Sequence, residues 1–163
     1  GARFIIVILD NATTAMTGHQ PTPQTGVRAD GSAGTKVLIS DLVRACGVRH
    51  LREIDPYDVG AFTAALQEAD AFIRSQEGGV AVIAAKHPCI VNRAARKAQP
   101  VYAMRITEDC IGCRICIERF ECPAIAFDEQ GNRAGIDRDR CIGCGVCVHV
   151  CPAGAIVAEE KKS

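Results

Sequence analysis

Residues 109–127 read DCIGCRICIERFECPAIAF, and residues 140–157 read RCIGCGVCVHVCPAGAIV. Together they hold eight of the ten cysteines in the chain. The first set is spaced Cys110-x2-Cys113-x2-Cys116-x5-Cys122-Pro123, and the second Cys141-x2-Cys144-x2-Cys147-x3-Cys151-Pro152. Disulfide frameworks belong to oxidising compartments and metal ligation to reducing ones, so the spacing has to decide between them. Zinc sites use paired CxxC knuckles with four ligands, which leaves the third cysteine at x2 and the Cys-Pro steps unexplained. Three thiolates at x2 spacing wrap three corners of an iron–sulfur cubane, because a tight turn brings their sulfurs toward one point. The fourth cysteine lies beyond that turn, biased to an extended conformation by the proline that follows it.

Residues 101–163, with their internal repeat of about thirty residues, resemble a bacterial-type two-[4Fe–4S] ferredoxin. The resemblance implies an α+β ferredoxin-like domain in which each fourth cysteine serves the other cluster. One cluster would take Cys110, Cys113, Cys116 and Cys151, and the other Cys141, Cys144, Cys147 and Cys122. An assignment that replaces Cys122 by another thiol stays open. Five residues separate Cys116 from Cys122 where the pattern has three. The extra pair is expected to bulge without moving the ligand off its cluster, and to alter solvent exposure and so the potential. Ile125 and Ile156, each following a Cys-Pro step, are expected to pack on the cubanes.

Upstream of the cysteines the pattern changes. FIIVIL (4–9) is a continuous apolar run, as in a strand covered on both faces of a parallel sheet. It runs into Asp10-Asn11 and an aperiodic stretch to residue 36 rich in Thr, Gly and Pro. A loop this long inside a compact domain is functional or disordered. A helix is expected over residues 37–46, with Leu38, Leu42, Ala45 and Cys46 on its apolar face and Gly47 as its stop. A strand at 50–54, the turn and cap Asp55-Pro56-Tyr57-Asp58, an amphipathic helix at 59–76 and a buried strand at 80–85 follow. Phe62, Ala65, Leu66, Ala69 and Ile73 share a face of that second helix. Alternation of strand and helix gives an α/β fold with a parallel sheet, and a boundary near residue 100 gives domains 1–100 and 101–163. Arg93, Arg96 and Lys97 read as a solvated linker before the boundary. Cys46 reads as a small core residue, and Cys89 as packing, with an approach to substrate as its alternative.

Composition narrows the partners. With 19 basic and 19 acidic residues the formal charge is zero, which argues against a dedicated nucleic-acid or membrane-surface protein. No apolar stretch reaches the length of a bilayer span.

In an open α/β sheet, ligands bind at the carboxyl ends of strands, where Asp10-Asn11 lies. An Asn oxygen and a nearby carbonyl are hard ligands suited to Mg²⁺ gripping a diphosphate, although a simple turn fits these two residues as well. ILDNATTAMTGHQPTPQTG, DPYD (55–58) and the cysteine tail together decide between them. They resemble the C-terminal portion of the large (alpha) subunit of the indolepyruvate:ferredoxin oxidoreductase family, among the 2-oxoacid:ferredoxin oxidoreductases. The likeness covers essentially all 163 residues.

That likeness implies a thiamine diphosphate-binding domain, with Asn11 as side-chain ligand and Thr13 as carbonyl ligand of Mg²⁺. The stretch containing Thr14, Met16, Thr17, Gly18 and His19 would line the cofactor, with His19 either catalytic or hydrogen-bonded within the loop. The aspartate-bearing element that precedes this Asn in the family has no room in the ten residues before Asn11, so Gly1 is expected to stand inside a longer polypeptide. No catalytic residue is assigned within the chain. The implied reaction is oxidative decarboxylation of an aryl 2-oxo acid, with coenzyme A taking the acyl group and electrons passing to an external ferredoxin. The implied partners are the rest of the alpha subunit and a smaller beta subunit, in the cytoplasm. Two other readings remain: a self-standing electron carrier with an α/β docking module, and a sister enzyme acting on pyruvate or 2-oxoglutarate.

Overall fold

The computed structural model describes residues 1–92 and 101–160. The chain divides into two compact units, Gly1–Ala98 and Gln99–Ser163. Arg93, Arg96 and Lys97 lie outside the described residues.

The first unit is a three-stranded parallel sheet, β1 (Ile5–Asp10), β2 (His50–Ile54) and β3 (Ala81–Lys86), in the order β1-β3-β2. Helices α1 (Ile39–Ala45) and α2 (Val59–Arg74) connect the strands. Asp58 caps α2 by accepting a hydrogen bond from the Ala61 N–H at 2.9 Å, which satisfies one of the orphan donors of the first turn. The central strand β3 reads AVIAAK, and its first five residues are buried. Small residues there and on α2, Ala65 and Ala69, allow the helix to approach closely, with Phe62, Leu66 and Ile73 packed around them. The apolar face read on this helix is the one that it buries.

Two expectations for this unit are corrected. β1 is not covered on both faces: it lies at the sheet edge, and Ile6, Val7 and Leu9 are exposed, Leu9 at 79%. A run of branched apolar residues signals a strand but not what covers it. On α1 the buried residues are Ser40 and Val43, while Leu42 is 56% exposed and Cys46 is exposed, so Cys46 is not a core residue. The helix is shorter than expected, with Leu38 and Cys46 as its capping residues and not on its face.

The second unit pairs β4 (Tyr102–Ile106) with β7 (Ile156–Glu160), and β5 (Ile125–Asp128) with β6 (Arg133–Ile136), both antiparallel. A one-turn helix, α3 (Ile115–Glu118), and a 3-10 turn (Val146–Val150) carry the third cysteine of each closely spaced set, Cys116 and Cys147. An offset of 31 residues relates the halves: Cys110 to Cys141, Cys113 to Cys144, Cys116 to Cys147, and Ile125 to Ile156. Ile125 and Ile156 are both buried, in a cluster with Cys116, Cys147, Met104 and Ala134.

The extra pair of residues before Cys122 is not a bulge on an unchanged frame. Nine positions lead from Cys116 to Ile125 and nine from Cys147 to Ile156. The segment keeps its length, and Cys122 sits two places later within it. A helical turn and a left-handed Glu121, φ +54°, take up the displacement.

Candidate functional site

In the second unit the chain turns through Gly112 (φ +68°) and Gly143 (φ +71°), the equivalent residues of the two x2 runs. A Cβ on Gly143 would stand 2.5 Å from the Tyr102 carbonyl oxygen, and one on Gly112 would stand 2.7 Å from that of Asn132. Glycine is therefore required twice over, by conformation and by contact. These turns bring the thiols into two groups of four. Burial pushes the Cys116 thiol up, and its neighbours Cys113, Cys110 and Cys151 push it in the same direction. Burial pushes the Cys147 thiol up to about 11, with Cys144, Cys122 and Cys141 adding to it. Each group thus combines three cysteines of one run with the fourth of the other run. Such mutual repulsion among ionised thiols is what a multivalent iron cluster relieves, so the donor set fits the cofactor.

Cys110, Cys113, Cys116 and Cys151 line a small cleft, together with Ile111 and Arg114. The Cys110 thiol is lowered, chiefly by the Ala134 N–H, then by the Gly112 N–H, with the Arg133 charge contributing. The Cys151 sulfur accepts a hydrogen bond from the Ala155 N–H at 3.3 Å. Among the described residues no three His, Cys, Asp or Glu side chains converge on a single-ion position. A cubane spreads its thiolates over separate corners and does not need such convergence.

In the first unit, Asn11 and Thr13 line an open cavity with Leu9, Thr22, Pro23 and Leu42, at the carboxyl end of β1. The Asn11 side-chain oxygen accepts a hydrogen bond from the Thr13 N–H at 3.2 Å, and the Asp10 carboxylate accepts one from the Ala12 N–H at 2.9 Å. Ala12 is left-handed, φ +57°, so the strand ends abruptly there. Thr14, Met16, Thr17, Gly18 and His19 form a small projecting hairpin closed by a Thr14–Gln20 bridge. They do not line that cavity, and Met16 is 99% exposed.

The loop after β3 ties the site together. His87 and Cys89 donate backbone hydrogen bonds to the carbonyls of Asp10 and Asn11, each at 3.0 Å. Cys89 is half-buried outside the core, its sulfur 3.8 Å from the His19 ring, so it faces the loop instead of packing in the sheet. The His87 ring meets the Asp55 carboxylate at 3.0 Å and stacks on Tyr57 with centroids 3.7 Å apart. Here the DPYD stretch meets the end of β3, a contact invisible to local pattern because the partners lie 32 positions apart.

Residues 1–85 match the family described as thiamine pyrophosphate enzyme, C-terminal TPP binding domain. The chain belongs to the thiamine pyrophosphate enzymes. Residues 134–157 match the 4Fe–4S binding domain and include Cys141, Cys144, Cys147 and Cys151. This thiamine pyrophosphate-family chain is similar to indolepyruvate oxidoreductase subunit IorA of Archaeoglobus fulgidus, 44% identical over 157 residues, covering 95% of the chain and 24% of the relative. The subunit of the same name from Methanothermobacter marburgensis is 38% identical over 161 residues, 98% of the chain and 24% of the relative. That of Pyrococcus horikoshii is 37% identical over 159 residues, 94% and 24%. The chain spans about a quarter of the length of the curated relatives it matches. No solved structure matches. The likeness read from the sequence agrees with these matches: an α/β thiamine pyrophosphate-family domain and a 4Fe–4S ferredoxin-like domain. Among the described residues no helix is long and apolar enough to cross a membrane.

Sequence reading passed over Arg114 and Arg133, which stand beside the first group of thiols. Comparing the halves at the 31-residue offset is the signal that finds them.

Proposed function

We propose that this chain is the cofactor-anchoring and electron-relaying portion of an indolepyruvate:ferredoxin oxidoreductase large subunit. One conjunction carries the reading: Asn11 and Thr13 line a cavity at the carboxyl edge of a parallel sheet, on a chain that also gathers eight thiols in two groups of four. Thiamine diphosphate supplies carbon–carbon cleavage next to a carbonyl and an electron-rich product that one-electron carriers drain. Asn11, through its side-chain oxygen, and Thr13, through its carbonyl, hold Mg²⁺ and with it the diphosphate. Thr14, Met16, Thr17, Gly18 and His19 approach the cofactor when the remaining protein closes over the hairpin. The bare apolar residues Leu9, Leu38 and Leu42 support such covering.

Cys110, Cys113, Cys116 and Cys151 hold one [4Fe–4S] cluster, and Cys141, Cys144, Cys147 and Cys122 the other. Residues 1–100 and 101–163 divide the two tasks. The substrate is an aryl 2-oxo acid, coenzyme A takes the acyl group, and an external ferredoxin takes the electrons. The rest of the alpha subunit and a smaller beta subunit complete the enzyme, in a reducing cytoplasm.

In the complete enzyme, Asn11→Ala should weaken Mg²⁺-dependent binding of thiamine diphosphate on the order of tenfold or more, with cluster content unchanged. Unchanged cofactor affinity would contradict the loop assignment. A panel of 2-oxo acids tests the substrate: preference for pyruvate or 2-oxoglutarate would replace indolepyruvate by a sister activity.

A further inference from the structure

The two halves of the ferredoxin-like unit differ in charge exactly where the 31-residue offset makes them comparable. Arg114 corresponds to Gly145, and Arg133 to Tyr102. Beside the second cysteine run these positions make an apolar closure: a Cβ on Gly145 would lie 3.1 Å from the Tyr102 ring. Beside the first run both are guanidinium groups. Arg114 lines the cavity of Cys110, Cys113, Cys116 and Cys151, its guanidinium 3.9 Å above the Phe127 ring and its Nη2 2.6 Å from Glu129. Arg133 is part-buried and donates to the carbonyls of Ile106 and Thr107 at 3.1 and 3.3 Å.

A second asymmetry comes from the backbone. The Ala155 N–H that reaches the Cys151 sulfur lies four residues beyond it. Its counterpart, Ala124, lies two residues beyond Cys122, so the four-residue turn that closes the Cys151 bond is absent there. An opposite exchange, Asp109 for Arg140, is also present, but both side chains are exposed and Arg140 is paired with Asp137 at 3.2 Å. Solvent screens that exchange.

Resting on the two-cluster reading above, we infer that the clusters are electrically unequal: the one held by Cys110, Cys113, Cys116 and Cys151 has the higher reduction potential, and Arg114 and Arg133 raise it. Reduction adds one negative charge to a cluster, and nearby cations and N–H donors to its sulfurs stabilise the reduced form. The first electron delivered to this unit therefore rests on the cluster beside the arginines. Arg114 and Arg133 act as positioning and tuning residues without touching substrate.

The test is an EPR-monitored redox titration of the intact enzyme, with dithionite as reductant. Two separate one-electron waves are expected, and Cys122→Ser should change the EPR signal of the lower one. Arg114→Gly copies residue 145 and suits the φ of +60° at this site. It should move only the higher wave, downward. Arg114→Lys should restore that wave, and Glu129→Gln should move it upward. If Arg114→Gly does not assemble clusters, Arg133→Gln provides the same downward shift. A single merged wave, a higher wave that carries the Cys122→Ser change, or a shift confined to the lower wave would overturn the inference. Iron content keeps the two readings apart: about eight irons with merged waves sinks only the inequality, whereas about four sinks the two-cluster reading itself.

Discussion

Ala65, Ala69, Ala81 and Ile83 make the buried cluster of the α/β unit, and none of them belongs to its candidate site. Asn11 and Thr13 sit at the rim, beyond the end of an edge strand whose Leu9 is bare. In the ferredoxin-like unit the opposite holds: Cys116 and Cys147, candidate ligands, are themselves buried core residues beside Ile125 and Ile156. One unit carries its chemistry on a scaffold, and the other is built around its chemistry. Site changes should therefore separate function from folding in the first unit and affect both together in the second.

The sharpest break of that contrast is Cys147→Ser. It should remove close to half of the iron and lower hydrogen-exchange protection in the ferredoxin-like unit, because metal binding there contributes folding free energy. The α/β sheet should keep its protection. Ile83→Ala is the mirror experiment: Ile83 is fully buried, and its truncation should cost about 2–5 kcal/mol in the α/β unit. Iron content should not change, and chemical denaturation followed separately in the two units checks this. Gly143→Ala comes next. Its left-handed φ and the 2.5 Å approach to Tyr102 should cost about 1–3 kcal/mol and lower cluster occupancy.

The smallest expected effect is electrostatic. Glu53 is held below its ordinary value of 4.5, first by a hydrogen bond from Lys86 and then by one from Ser40. A carboxyl with a lowered folded value stabilises fully above its unfolded value and loses that contribution as pH falls through the folded value. The α/β unit should thus soften below about pH 4.5, and Glu53→Gln should flatten that dependence. Exposure of both partners keeps the change small.

Legibility in the sequence followed the same division. Strands at 50–54 and 80–85 and the helix from residue 59 lie where period and capping placed them, since Asp58 and the Ala-rich stripe act locally. What covers β1, and which side of α1 is buried, depend on neighbours far along the chain, so Leu9, Leu42 and Cys46 were misread as covered. Eight cysteines were legible because turn geometry ties spacing to chemistry. Displacement of Cys122 was visible as a count, and its compensation before Ile125 is tied to structure by β5 and β7, which begin at the equivalent residues Ile125 and Ile156. The His87–Asp55 pair and the Cys89–His19 contact join segments that no local pattern links.

Exchange of fourth ligands between the two cysteine runs is the claim on which the relay rests. EPR spectra of the reduced protein carrying Cys110→Ser, Cys141→Ser or Cys151→Ser test it most directly. Cys151→Ser should perturb the same cluster signal as Cys110→Ser, across 41 residues, and leave the other intact. If Cys151→Ser instead perturbs the signal that Cys141→Ser perturbs, each run holds its own cluster and the cross-ligated arrangement is wrong.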